Sequence, residues 1–331
     1  MKKRSADGRG ATGNEAFPGR LLGQWGDEAF PGRLLGQWAM KRSPEGCWGN
    51  GRRSVPRKAA GTMVDGACPS GRREMMRLKA VTFNIRCDYG QDGSNNFSFR
   101  KQYILKKIRE EMPDVIGFQE VLPHVAAWLR DNLEGYCVIG CGREKDLSGE
   151  QATIAYRKDR LNLIAMDTFW ISETPRVPGS RYEDQSTCPR TCTDAMFVET
   201  ESGRVVRVLN THLDHLGSGA RVQGMKQIMA HLKNGCSFGD VPVLFMGDLN
   251  AEPDSPEIQM MKQEPEFVNV TEGIGATFHD YGRDAQTIDY MFQKGFAGCS
   301  RVYKWEEMEN GVYLSDHYPV CAELEWDERE R

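Results

Sequence analysis

The sequence predicts an α/β fold with more than one sheet. Three observations lead there: short apolar runs that end in a polar residue recur along the chain, two amphipathic helical stretches lie among them, and strands dominate near the C-terminus. The first run, Leu78-Lys79-Ala80-Val81-Thr82-Phe83-Asn84, ends on Asn84. Over residues 97–112, Leu105, Ile108 and Met112 fall on one helical face, and Pro113 stops the helix. Val115-Ile116-Gly117-Phe118-Gln119-Glu120 then ends on Glu120, and Phe169-Trp170-Ile171 reads as a strand packing its tryptophan. The strand over residues 205–212 ends on His212, with Asp214 and His215 just beyond. Residues 221–233 align Val222, Met225, Ile228, Met229 and Leu232 as a second helix. The buried run Val243-Leu244-Phe245-Met246 leads into Gly247-Asp248-Leu249-Asn250, and residues 287–292 set Asp289 within a strand. Ser315-Asp316-His317 precedes a final alternating strand over residues 318–326.

Each polar strand end is weak alone. A Gly-Asp pair after a strand is more often a turn than a catalytic site, and Ser-Asp-His also reads as a turn entering a strand. Six such clusters are hard to ascribe to six accidental turns. Asp248 ends a buried strand, at the sheet edge where open α/β sheets place their ligands. Asn250, two residues on, would point to the same side if the chain stays extended. Hydrolysis of a phosphoester needs charge neutralised on the phosphoryl oxygens, an oriented water and a stabilised leaving group. Oxygen ligands such as Glu120 and Asn84 suit Mg²⁺ or Mn²⁺, and two histidines paired with carboxylates handle protons near neutral pH.

Asn84, Gln119-Glu120, Asn210-Thr211-His212, Gly247-Asp248-Leu249-Asn250, Ile288-Asp289-Tyr290 and Ser315-Asp316-His317 stand in the order found in the endonuclease/exonuclease/phosphatase superfamily. From about residue 77 to 326 the chain resembles that superfamily, in motif style nearest its deadenylase and sphingomyelinase branches. The resemblance implies a four-layer α/β sandwich, two central mixed sheets flanked by helices. It also implies Mg²⁺-dependent hydrolysis of a phosphoester, with Mn²⁺ as the alternative cation. Carried over residue by residue, it makes Glu120 the principal metal ligand, completed by Asn84 and Asp316. Asp248 would orient or deprotonate the attacking water and Asn250 would hold the phosphoryl group. His317, steered by Asp289, would act at the scissile phosphate, and His212 would be the second phosphate-facing histidine. Glu150, in Gly149-Glu150-Gln151-Ala152-Thr153-Ile154-Ala155-Tyr156-Arg157, resembles the glutamate that supports this second histidine in deoxyribonucleases.

Other features carry only structural readings. Cys188-Pro189-Arg190-Thr191-Cys192 lacks a second paired-cysteine motif and reads as a loop with two free thiols. Arg143 and Arg190 read as solvated loop arginines. Residues 1–74 are rich in Gly, Arg and Pro and repeat Glu-Ala-Phe-Pro-Gly-Arg-Leu-Leu-Gly-Gln-Trp at 15–25 and 28–38, which reads as a disordered basic extension. One expectation is that translation starts at Met75 or Met76 and that the catalytic domain spans 75–331. No apolar run in the extension has the form of a secretory signal or a membrane span.

Charge narrows the substrate. Residues 75–331 hold 29 Lys+Arg against 40 Asp+Glu, a net charge of −11. Proteins that track long polyanions need a basic footprint, so a small phosphoester or a nucleic-acid end is the expected substrate. Ten cysteines without an export signal fit a reducing interior, making the cytoplasm the default compartment, and no obligate protein partner is evident. Three alternatives stand beside a metal-dependent phosphodiesterase, nuclease or phosphatase whose substrate the sequence does not assign. They are a 3′-exonuclease on RNA or short oligonucleotides, a lipid or inositol phosphate phosphatase, and a catalytically inactive binding module.

Overall fold

The computed structural model describes residues 76–234 and 239–327; the repeat-containing stretch 1–74 lies outside them. Among the described residues, twelve strands and four α-helices follow in chain order: β1 Arg77–Asn84, α1 Phe97–Glu111, β2 Val115–Val121, α2 Pro123–Asn132, β3 Tyr136–Ile139, β4 Gln151–Arg157, β5 Leu161–Trp170 and β6 Thr191–Glu199, then β7 Val205–His212, α3 Ser218–Lys233, β8 Val243–Asp248, α4 Pro256–Lys262, β9 Val268–Asn269, β10 Asp289–Lys294, β11 Gly298–Lys304 and β12 Val320–Glu325. The strands form two six-stranded sheets, ordered β11-β12-β1-β2-β4-β3 and β5-β6-β7-β8-β10-β9. Both are mixed, because β1 pairs β2 and β7 pairs β8 in parallel while the other pairings are antiparallel.

The apolar layers follow from strand periodicity. In β1 the odd residues Val81 and Phe83 pack with Ile104, Leu105 and Ile108 of α1 and Val125 and Leu129 of α2. The even residues Leu78 and Ala80 turn the other way and meet Val206, Val208, Leu244, Met246 and Met291 of the second sheet. On that sheet's far face, Leu209, Phe245 and Phe292 pack against Met225 and Ile228 of α3 and Ile258 and Met261 of α4. The result is helix, sheet, sheet, helix, the expected four-layer sandwich. Each fully buried Leu, Met or Phe in these layers contributes about 1.5–3 kcal/mol by leaving water.

Parity also aims the site. Continuing the inward positions along each strand passes from Leu78 and Ala80 to Thr82 and Asn84, from Val206 and Val208 to Asn210 and His212, from Leu244 and Met246 to Asp248, and from Met291 back to Asp289. The space between the sheets is therefore apolar at one end and polar at the other. Where the two meet, Gln119 Nε2 donates to Asn210 Oδ1 at 2.7 Å across the sheets, and Asn210 Nδ2 donates to the carbonyls of Phe118 and Thr153, each at 2.8 Å. Gly117 permits this approach, since a Cβ there would lie 2.8 Å from Asn210 Cγ and 2.9 Å from Met246 Cε.

Two sequence boundaries shift. Met112 is not on the buried face of α1; it caps the helix in the left-handed conformation, φ 47°, and is half exposed. Asp289 opens β10 instead of lying within it. The short helices α2 and α4, not anticipated from periodicity, each begin on a proline, Pro123 and Pro256, where a missing N–H costs nothing. Among the described residues, no helix is long and apolar enough to cross a membrane.

Candidate active site

Strand β2 supplies Glu120 by breaking its own regularity. Its register with β4 shifts between Phe118 and Val121, and Glu120 sits at φ 61°, a left-handed conformation that costs an ordinary residue about 1–2 kcal/mol. The bend is held by its carboxylate, which accepts from Asn84 Nδ2 at 3.0 Å and from the Cys87 backbone N–H at 2.8 Å. Asn84 Nδ2 also donates to Asp248 Oδ2 at 2.9 Å, so one amide ties the first sheet's glutamate to the second sheet's aspartate. Asn84 Oδ1 accepts from the Arg86 N–H at 3.0 Å, and Arg86 Nη1 lies 3.4 Å from Asp316 Oδ2.

Asp248 is the centre of the arrangement. Its Oδ2 stands 3.6 Å from His212 Nε2 and 3.7 Å from His317 Nε2, while Asp289 Oδ2 lies 2.8 Å from His317 Nδ1. These four side chains are all buried. Register explains their meeting: His212 pairs with Asp248 across β7 and β8, and Asp248 with Asp289 across β8 and β10. Gly247 lets β8 run this close, because a Cβ there would strike the Thr211 carbonyl oxygen at 2.1 Å. Asn250 does not continue an extended chain. It turns left-handed, φ 48°, its N–H donates to Asp248 Oδ1 at 2.9 Å, and its Nδ2 meets His212 Nε2 at 2.9 Å and the Leu213 carbonyl at 3.0 Å. With Nδ2 as donor, His212 Nε2 is the acceptor and the ring proton sits on Nδ1.

The two histidines are driven to different charge states, one neutral and one cationic. Burial alone would lower the His317 pKa, but the charge of Asp289 and the hydrogen bond to it prevail, raising it to about 10. Burial lowers His212 well below the ordinary histidine value, and the nearby guanidiniums of Arg190 and Arg143 push in the same direction. Burial, then the charge of Asp289, pushes the Asp248 carboxyl up to about 7. Glu120 goes the other way: burial would raise it, yet the Asn84 amide and the Cys87 N–H hold it below the usual carboxylate value. Asp316 is raised by burial, opposed by the charges of His317 and Arg86. A neutral and a cationic imidazole flanking one carboxylate is the division of labour that acid–base chemistry at neutral pH requires.

Asn84, Glu120 and Asp316 offer the oxygen donors that hard divalent cations prefer. Asp248, Asp289 and His317 form a second group whose ligand atoms lie within 4.8 Å of one another. In that second group His317 Nδ1 is already committed to Asp289. Its arrangement is therefore that of a carboxylate–histidine pair beside an aspartate.

Three expectations need correction. Glu150 makes no hydrogen bond to His212; its Oε2 accepts from Arg143 Nη1 at 2.6 Å, because the loop before β4 folds that guanidinium over it. Arg143 and Arg190 are not solvated, with exposures of 8% and 4%, and both line a cavity that Glu120 and His212 share. Cys188 and Cys192 are both free, but only Cys188 is in a loop, Cys192 being buried in β6. Trp170 is buried as expected, its Nε1 donating to the Arg143 carbonyl at 2.6 Å. Arg86 went unnoticed, although it follows Asn84 by two residues. His279 was missed too; it stacks on Tyr318 at 3.9 Å between ring centroids and packs against Tyr313.

The model of the Endonuclease/Exonuclease/phosphatase family matches residues 81–317, which takes in every one of these strand ends. The chain belongs to that family. A family member from Bacteroides vulgatus is 31% identical over 76% of this chain and 100% of its own, with a TM-score of 0.72. The mannosyl-6-phosphatase of Bacteroides thetaiotaomicron VPI-5482 is 25% identical over 75% of this chain and 99% of its own, TM-score 0.68. The human nocturnin catalytic domain, 17% identical over 76% and 95% with a TM-score of 0.60, shares the fold. No curated protein sequence matches the chain. The family comprises phosphoester hydrolases, generally dependent on divalent metals.

Proposed function

We propose that this family member hydrolyses a small phosphoester with the help of Mg²⁺ or Mn²⁺, and that Asp248 serves the attacking water. The observation that carries this reading is the placement of one buried carboxylate oxygen within 3.7 Å of two histidines and 2.9 Å of Asn84. Asp248 would orient the water and receive its proton. His317, kept cationic by Asp289, would stabilise charge on the phosphoryl oxygens, and His212, its ring held by the Asn250 amide, would contribute its unpartnered Nδ1–H. Glu120, Asn84 and Asp316 would hold the divalent ion, which when bound supplies neutralisation of phosphate and leaving-group charge.

A small substrate is favoured by the net −11 of residues 75–331 and by the likeness to a mannosyl-6-phosphatase. Free thiols at the seven cysteines among the described residues favour a reducing compartment, the cytoplasm. Release of inorganic phosphate from phosphomonoesters, or of alcohol from diesters, by the full chain with Mg²⁺, Mn²⁺ or EDTA tests the proposal. Activity should require the cation and fall about 10²–10⁴-fold in His317→Ala. Hydrolysis that persists in EDTA or in that variant would overturn it.

A further inference from the structure

Beside the proposed catalytic groups lies a narrow cleft with about 10 Å³ of free space, room for one water or one phosphoryl oxygen, lined by Glu120, Arg143, Glu150, Arg190, Thr191 and His212. Its two arginines come from distant parts of the chain, Arg143 from the loop before β4 and Arg190 from the residue preceding β6. The Arg190 side chain is 4% exposed, and its Nε and Nη1 have no hydrogen-bond partner. Its Nη2 meets His215 Nδ1 at 2.9 Å, and the nearest carboxylate oxygen, Asp214 Oδ1, stands 3.6 Å from Nε, beyond hydrogen-bonding reach. Arg143 binds Glu150 through Nη1, and its Nε, without a hydrogen bond, lies 3.8 Å from Glu144 Oε1. Buried donors without acceptors are costly, and guanidinium donors are the ones best matched to phosphate oxygens.

We propose that Arg143 and Arg190 form an anion pocket that selects a dianionic phosphomonoester over a phosphodiester. This rests on the functional reading above and sharpens it to a substrate class. A monoester near neutral pH carries close to two negative charges and three non-bridging oxygens, whereas a diester has one charge and two such oxygens. In the functional reading above, His317 and the divalent ion would meet a diester's two non-bridging oxygens. The extra oxygen and charge of a monoester call for further donors, and the unspent N–H groups of Arg143 and Arg190 share a cavity with His212 and Glu120. Glu150 acts here as a positioning residue, fixing the Arg143 guanidinium by the 2.6 Å bond while Nε keeps no hydrogen bond.

The test compares the full chain with Arg190→Gln, Arg143→Gln and Arg190→Lys, each checked for folding by circular dichroism. In Mg²⁺, p-nitrophenyl phosphate and bis(p-nitrophenyl) phosphate are hydrolysed side by side; in EDTA, inorganic phosphate is titrated calorimetrically. Loss of a charge-assisted pair should cut kcat/KM for the monoester about 10–100-fold and weaken phosphate binding about tenfold, with Arg190→Lys recovering part of both. The preference for monoester over diester, the ratio of the two kcat/KM values, should fall about tenfold. A parallel loss on both esters, or an unchanged monoester rate, overturns the pocket. Should Arg190→Gln fail to fold, Arg143→Gln and Arg190→Lys decide by the same readings. Should the wild type hydrolyse neither ester, the functional reading fails, and phosphate binding judges the pocket by itself. Binding lost in the Gln variants upholds it as an anion site; no wild-type binding, or binding the variants retain, overturns it.

Discussion

Met246 and Asp248 sit two residues apart on the same face of β8, yet they face opposite ends of the space between the sheets. Met246 is packed among Leu78, Val208, Leu244 and Met291, whereas Asp248 is enclosed by Asn84, His212, His317 and Asp289. The apolar end gains stability from every methylene it removes from water. The polar end loses stability by burying charge, which is visible in an Asp248 carboxyl pushed up to about 7 by burial and by Asp289. One strand thus holds a fold-making residue and a function-making residue at the same depth, and substitutions at the two ends should separate activity from stability.

The largest effect is expected at the polar end. Asp289→Asn removes the carboxylate that keeps His317 protonated and should lower kcat about 10²–10³-fold, measured by phosphate release at saturating substrate. Its pH profile should change as well, the His317 limb moving down from about 10 towards the ordinary histidine value. At the apolar end, Leu244→Ala should destabilise by about 2–5 kcal/mol in urea unfolding. The folded fraction of that variant should keep its kcat within about threefold, because additive effects separate for groups without shared partners.

Gly117→Ala probes the seam between the ends. Its Cβ would press on Asn210 and Met246 at once, so both readings should fall together, with about 1–3 kcal/mol lost to overpacking.

The sequence made most of the polar end legible, since strand parity alone carries Asn84, His212, Asp248 and Asp289 to one side. It failed where the backbone leaves the strand. Asn250, Glu120 and Arg86 all adopt positive φ, and period-two reasoning cannot say where such side chains point. Arg143 and Arg190 stand in loops of unremarkable composition, where sequence alone points to solvated arginines. Their burial depends on loops before β4 and β6 closing over one another, a long-range event that local pattern does not encode. The four-layer architecture came from the motif resemblance, while periodicity by itself reached only an α/β fold with more than one sheet.

The smallest expected effect is a pH dependence of stability in the metal-free protein. The Asp248 pKa is raised in the folded state, so its favourable contribution is full below the unfolded carboxylate value of about 3.9 and is lost as pH rises through about 7. Asp248→Asn cannot ionise and escapes that loss. Its urea midpoint in EDTA relative to wild type should therefore improve between pH 5 and pH 8.

The most direct measurement takes kcat/KM for phosphate release and the unfolding free energy of Asp248→Asn on the same preparation at pH 8. A drop of about 10³-fold in activity with stability equal to or above wild type is expected. Retained activity, or activity and stability lost together, would contradict the division between the two ends.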